Sequence, residues 1–500
     1  MPYEVHGDDE MSGFESMMWD MERDPHLAST FSNITILDQA PDRVAFRRRM
    51  AKALERVPRL RQRVEESSLP WQLPRWVDDE EMDLDYHLRW LDMGGHATRR
   101  DLYDLVAVLS RDPLDRARPL WQFVVIEGLA DGRAAMLQRL HHSITDGEGG
   151  IRLSVEFLDF ERNPPESQSP RPSRRDKPRD TEPGETEPRD TEPPAGDGAD
   201  PKSAAATSPS AAPAIASTAA ATDSDELAET QPPIWDRTRD TVGSLWSGAS
   251  QLYGTARSAG RQAMVGNRKS PLWTTRSLDR WYGTTTLNLA DVIEAARSMD
   301  ASVNDIFMAG AAAAAGQVHR DSGMPVSQLR ASMPVSTRHD RSAGGNAFSP
   351  TQMLVPTGEM TPRERVGLVH DIIVEIRQEK AIDAMGQAAN AIAAALPKTV
   401  ILRSGQYLTR AVDFVCSNVR AAPFDLFIGG ALMHANYPIG PIAGTAFNLT
   451  TMSYRGWLFL GLYVDTAAVE DPPALLATLD DCYSELLATA GLPRRAPEFD

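Results

Sequence analysis

The chain has 500 residues, 41% hydrophobic and 24% charged, enough for two or three domains with ample core. Its 52 basic and 70 acidic residues give a formal charge of −18, which excludes the basic face of a nucleic-acid binder. Two cysteines, Cys416 and Cys482, cannot build a disulfide framework and point to a reducing cytoplasm. The opening MPYEVHGDDEMSG lacks the basic start and apolar core of a signal peptide, and no run approaches the roughly 18 apolar residues of a spanning helix.

In chain order, Phe46 to Val64 reads as a helix, with Arg47, Arg48 and Arg49 toward solvent and Pro58 as its stop or kink. Leu102, Leu105, Val106 and Leu109 follow a second helical pattern. Trp121 to Ile126 is β-rich, Asp131-Gly132 signals a hairpin, and Arg133 to Leu140 supplies the return strand. That strand runs into the most informative segment of the chain, residues 141–147, His-His-Ser-Ile-Thr-Asp-Gly. Gly149 and Gly150 follow, then Ile151, Val155 and Leu158 at helical spacing. The segment is therefore predicted in a loop that leaves a strand and enters a helix, where catalytic groups sit on a stiff scaffold.

The residue types suit proton transfer. A neutral imidazole accepts a proton near pH 7, an aspartate four residues on can hold the loop in one shape, and a glycine permits a tight turn. Two other readings stand beside this one. The histidines could be one core and one surface residue, or His142 and Asp146 could ligate a metal. The remaining histidines, His6, His26, His87, His96, His319, His339, His370 and His434, are scattered singly without ligand spacing, so no metal is expected.

Composition breaks at residues 163–233, rich in Pro, Ser, Thr, Ala, Asp and Glu with three copies of Thr-Glu-Pro; this is predicted to be a disordered linker without chemistry. Residues 234–269 form a connecting or an interfacial helix. Trp235, Val242, Leu245, Trp246, Leu252 and Tyr253 recur at roughly helical intervals among arginines. Residues 270–500 make a second unit beside the first, 1–162. Val292, Ile293 and Ala296 mark a helix. Ser302 and Asp305 have capping-box spacing at the start of an alanine-rich one. Strands are expected near Leu329–Pro334, Gly444–Tyr454 and Trp457–Val464, and Pro472-Pro473 introduces a closing helix through Leu475, Leu479, Tyr483 and Leu486.

These motifs resemble a family, the bacterial wax ester synthase/acyl-CoA:diacylglycerol acyltransferases. The resemblance covers nearly everything outside the linker. It rests on Val57-Pro58-Arg59-Leu60-Arg61, Pro119-Leu120-Trp121, His141 to Gly147 (HHxxxDG), Asn304-Asp305, Met333 to Arg338, Ser417-Asn418-Val419 and Tyr437 to Pro441 in this order. HHxxxDG alone is shared with other acyltransferases, peptide-synthetase condensation domains among them. The resemblance implies an α/β (α+β) fold of two chloramphenicol-acetyltransferase-like domains around a central channel. It implies His142 as the base, with His141 and Asp146 completing the catalytic loop, Asp146 as its fixing acid paired with an arginine. Gly147, Asn304, Ser417 and Asn418 become candidates for substrate or oxyanion binding. Acyl-CoA is implied as co-substrate without a cofactor, a hydrophobic alcohol as acceptor, and as setting the inner face of the plasma membrane or a lipid droplet, contacted peripherally. The alternative function is a catalytically silent lipid carrier or scaffold of the same fold. One departure stands out: the family follows Ser-Asn-Val with Pro-Gly-Pro, and this chain with Arg420-Ala421-Ala422. Acceptor, acyl chain length and oligomeric state stay open.

Overall fold

The computed structural model describes residues 9–69, 72–145, 147–164, 270–336, 348–378 and 411–497. Within them the strands are, in order, β1 (Thr30–Leu37), β2 (Gln62–Glu65), β3 (Arg75–Asp78), β4 (Leu88–Ala97), β5 (Trp121–Leu129), β6 (Ala134–His141) and β7 (Arg280–Asn288). They continue with β8 (Gln328–Ser336), β9 (Phe348–Pro356), β10 (Phe414–Arg420), β11 (Phe427–Ile428), β12 (Ala431–Ile439), β13 (Phe447–Tyr454) and β14 (Trp457–Asp465). Two six-stranded sheets result, ordered β11-β12-β1-β6-β5-β4 and β7-β14-β13-β10-β8-β9, with β2-β3 as a separate ribbon.

The hairpin signal at Asp131-Gly132 joins β5 to β6, with Gly132 at φ +76°, a conformation open to glycine. Every residue of β6 is buried, so this central strand is covered on both faces and holds its last residue, His141, rigidly. β1 pairs with β6 along its whole length, placing Thr30 opposite His141. Its other edge is closed by a strand from the second half of the chain: β12 pairs with β1, Asn436 opposite Thr35 and Tyr437 opposite Ile34. β14 passes so near this strand that a Cβ on Gly461 would overlap the Pro438 carbonyl oxygen.

Two expectations need correction. The helix expected from Phe46 to Val64 runs Arg43–Arg56 instead; Pro58–Leu60 is a single 3-10 turn and Gln62 begins β2. The cause is Pro58, which pushes Val57 to φ −119°, ψ 92°, outside the helical region. Gly444 lies before its strand: Ala443 and Gly444 both have positive φ and form a turn, and β13 starts at Phe447. Of the three arginines, Arg47 and Arg48 are exposed, whereas Arg49 bonds the buried Asp159. The capping box is present, with the Ser302 backbone N–H donating to Asp305 Oδ2 at 2.7 Å, and Asp471 caps the closing helix, Pro472–Thr489. The predicted linker from residue 165 on, the Trp235–Met264 segment and Asp146 lie outside the described residues. No helix among the described residues is long and apolar enough to cross a membrane.

Candidate active site

The HHxxxDG loop is anchored on both sides by backbone. His141 N–H donates to the Leu120 carbonyl at 3.0 Å, and His142 N–H to the Ser29 carbonyl at 3.0 Å. The loop is therefore pinned to the entrances of β5 and β1, and the helix Gly147–Ser154 leaves from it.

The two histidines have different surroundings. His141 is fully buried. Its Nδ1 accepts the Ser143 backbone N–H at 3.0 Å and lies 2.6 Å from Ser143 Oγ. A backbone N–H can only donate, so Nδ1 carries no proton and the ring proton sits on Nε2. Nε2 lies 2.5 Å from Glu22 Oε2, and Thr30 Oγ1 donates to Glu22 Oε1 at 3.0 Å. Burial pushes the Glu22 carboxyl up, but His141 and the hydrogen bonds from His141 and Thr30 outweigh it and hold the group below its ordinary range. Glu22, His141 and Ser143 thus form a buried brace that fixes the loop from beneath.

His142 is half-buried, and its ring rests on Phe31 of β1, centroids 4.6 Å apart at 43°. Gly150 of the following helix packs on the same Phe31: a Cβ there would stand 3.5 Å from the ring. Of the two histidines, His142 is the one with exposed surface, held by an aromatic floor and a braced loop.

The Gly147–Ser154 helix packs beside β10, which carries Ser417 and Asn418. Alternation along β10 sends these neighbours to opposite faces. Ser417 lies in register with Thr450 of β13. Asn418 shares its face with the buried Cys416 and donates to Asn304 Oδ1 at 2.5 Å. Asn304 and Asn418 tie the first turn of the Val303–Asp321 helix to β10, a structural use of both. Asp305 is occupied by its cap and by His370 Nδ1 at 2.8 Å.

Two side chains near the site could in principle attack a thioester, Ser143 and Cys416, and both are poorly placed for it. Ser143 is fully buried with its hydroxyl on His141. Cys416 is fully buried, and burial pushes its thiol far above the ordinary range. The Pro119-Leu120-Trp121 motif is a bolt: Trp121 Nε1 donates to the Leu60 carbonyl at 2.7 Å, and His87 stacks on its ring at 4.6 Å.

Residues 11–307 match the wax ester synthase/diacylglycerol acyltransferase catalytic domain, and residues 344–487 match the C-terminal domain of the same family. The chain belongs to the wax ester synthase/diacylglycerol acyltransferase family. A Mycobacterium tuberculosis protein named among the diacylglycerol O-acyltransferases is 32% identical over 97% of this chain and 93% of its own. The solved wax ester synthase/diacylglycerol acyltransferase of Marinobacter aquaeolei superposes with a TM-score of 0.60 at 18% identity, covering 97% of this chain and all of that one. The first condensation domain of the calcium-dependent antibiotic synthetase also gives 0.60, at 13% identity, covering 99% and 98%. At such identities the likenesses concern fold, and they agree with the acyltransferase architecture expected from the motifs.

Glu22, Phe31 and Ser29 meet the loop with no signal of that role in the sequence. None lies in a motif: Ser29 and Phe31 come to the loop through the pairing of β1 with β6, and Glu22 from the end of the Gly13–Met21 helix.

Proposed function

We propose that this chain is an O-acyltransferase that moves a long-chain fatty acyl group from acyl-CoA to a hydroxyl of diacylglycerol, a fatty alcohol or both, without a cofactor. The observation that carries the reading is the contrast between the histidines: His141 is locked in a buried brace, and His142 is left half-buried and reachable. His142 removes the acceptor's hydroxyl proton as the oxygen attacks the thioester carbonyl. The C–S bond then breaks, and the CoA thiolate leaves with that proton. General-base help of this kind is worth about 10²–10⁴-fold, and alignment of two substrates supplies much of the rest. The test is to incubate purified protein with palmitoyl-CoA and dioleoylglycerol or hexadecanol, and to follow free thiol and ester product. No release above heat-inactivated protein favours the silent carrier and sinks the enzyme reading.

Acceptors of this class are nearly insoluble, so the reading includes peripheral contact with a membrane or lipid-droplet surface. Support comes from Phe160 and Phe424, 58% and 50% exposed, with ring centroids 5.8 Å apart. Val155, equally exposed, lies just beyond the helix that leaves the catalytic loop. Two exposed neighbouring aromatics suit an interfacial contact. Phe160→Asp with Phe424→Asp is expected to reduce flotation with anionic liposomes about tenfold. Flotation equal to wild type would remove this patch from the contact. Loss with Trp246→Asp plus Leu252→Asp instead would assign it to the segment before residue 270.

A further inference from the structure

β7 ends the second sheet, so one of its edges has no strand partner. A cavity of about 520 Å³ lies against it. The first half of the chain lines the cavity with Arg99, Arg100 and Tyr103, from the first turns of the Arg99–Arg111 helix. The second half adds β7 residues, Asp480 and the segment Arg494–Pro497. Arg100 Nη1 donates to the Tyr282 carbonyl of β7 at 2.9 Å, and Arg494 Nη1 to the Thr286 carbonyl. Arg495 meets the buried Asp291 at 3.1 Å. Four guanidiniums thus surround one cavity in a chain of net charge −18.

Four carboxylates stand near them. Asp104 accepts from Arg100 and Asp480 from Arg494, Asp291 pairs with Arg495, and Asp101 is spent on the helix cap with Thr98. Of these only Asp480 lines the cavity, so its wall carries four cations and one anion. Arg494 Nε is buried and has no hydrogen-bond partner among the described residues. It is a donor, and the group it lacks is an acceptor oxygen. Between the cations the wall is apolar or aromatic, with Leu476 and Tyr437, and Arg100 lies over the Trp281 ring at 5.1 Å. A phosphate presents several acceptor oxygens to the planar fork of an arginine, and an apolar wall suits the organic body attached to it.

We propose that this cavity binds a phosphate ester at a distance from the histidine loop and clamps the two halves of the chain together. Tyr437 of β12 forms part of its wall, and the next carbonyl, Pro438, lies so near Gly461 of β14 that no ligand passes between them. The helix that starts at the cavity runs roughly 20 Å before it ends at Asp112. The Asp112 carbonyl accepts from Arg139, two residues before His141. The ligand therefore touches the far end of the helix that abuts the catalytic strand, and it joins Arg99 and Arg100 of one half to Arg494 and Arg495 of the other. Two sources carry this chemistry: the nucleotide end of CoA, which the proposed reaction releases, and a phospholipid headgroup.

The test is calorimetric titration and a thermal melt of the purified full-length protein with adenosine 3′,5′-bisphosphate or dihexanoyl phosphatidic acid, at constant ionic strength set with chloride. At least one of the two should bind and raise the melting temperature, because a ligand held only by the folded state stabilises it. Tighter binding of the bisphosphate assigns the site to the nucleotide end of CoA, and tighter binding of the phosphatidic acid assigns it to a headgroup. Arg99→Gln with Arg495→Gln should weaken the binding at least about tenfold, the scale of one charge-assisted hydrogen bond. Arg495→Gln alone serves if the pair does not fold, with a smaller loss in the same direction. Neither probe binding wild type would overturn the proposal. So would equal affinity in wild type and variant, since the phosphate would then sit elsewhere, or a melting shift that chloride reproduces. None of these readouts depends on acyl transfer, so their failure leaves the acyltransferase reading standing.

Discussion

His142→Ala is expected to lower turnover at least a hundredfold, roughly, while the melting temperature stays near that of wild type. The ring is half-buried against Phe31, and the loop keeps its backbone anchors to Ser29 and Leu120 without it. Removing it therefore deletes a proton acceptor and little packing. The measurement is kcat with palmitoyl-CoA and a saturating acceptor, beside a thermal melt. Turnover equal to wild type in a folded variant would take His142 out of the chemistry.

His141→Leu is expected to show the reverse balance. It removes the partner of a buried carboxylate and strips Ser143 of its local acceptor. Breaking such a pair costs about 3 kcal/mol, and the loss should appear in the urea midpoint before it appears in kcat per folded molecule. The brace also has a pH signature. Glu22 is held below its ordinary value of 4.5, with burial working against His141 and Thr30. A depressed carboxylate contributes stability that is full above its unfolded value and is lost as pH falls through the lower folded one. The melting temperature should therefore drop in that acid window, and Glu22→Gln should be less stable at neutral pH and lose less on acidification. A variant whose acid profile overlays wild type would show that the brace carries no such charge.

Local chemistry was the legible part. Pro58, Asp131-Gly132, the Ser302–Asp305 box and Pro472-Pro473 each mark an element end by a steric or hydrogen-bonding rule that operates within a few residues. The position of HHxxxDG between strand and helix followed from the same rules. The brace was not legible, because Glu22 is an ordinary surface-type residue until the Gly13–Met21 helix and β1 bring it under His141. Nor did periodicity reveal that Ser417 and Asn418, adjacent in one motif, would part to opposite faces, or that Asn418 would spend its amide on Asn304. The apolar/polar pattern of β12 fits any half-buried strand, and nothing in it names β1 as its partner.

That pairing has a consequence during synthesis. Asn33 and Asn436 sit in contact but 403 residues apart in the chain. At roughly 5–20 residues per second, a ribosome takes about 20–80 s to deliver β12 after β1 has emerged. For that interval the first sheet carries an open edge, and an open edge pairs with whatever strand it meets. An isolated fragment ending at residue 164 would keep the histidine motif and lack the strand that closes its sheet. Yield in a heterologous host should accordingly respond to chaperone supply and slow growth more than to any single substitution in the loop.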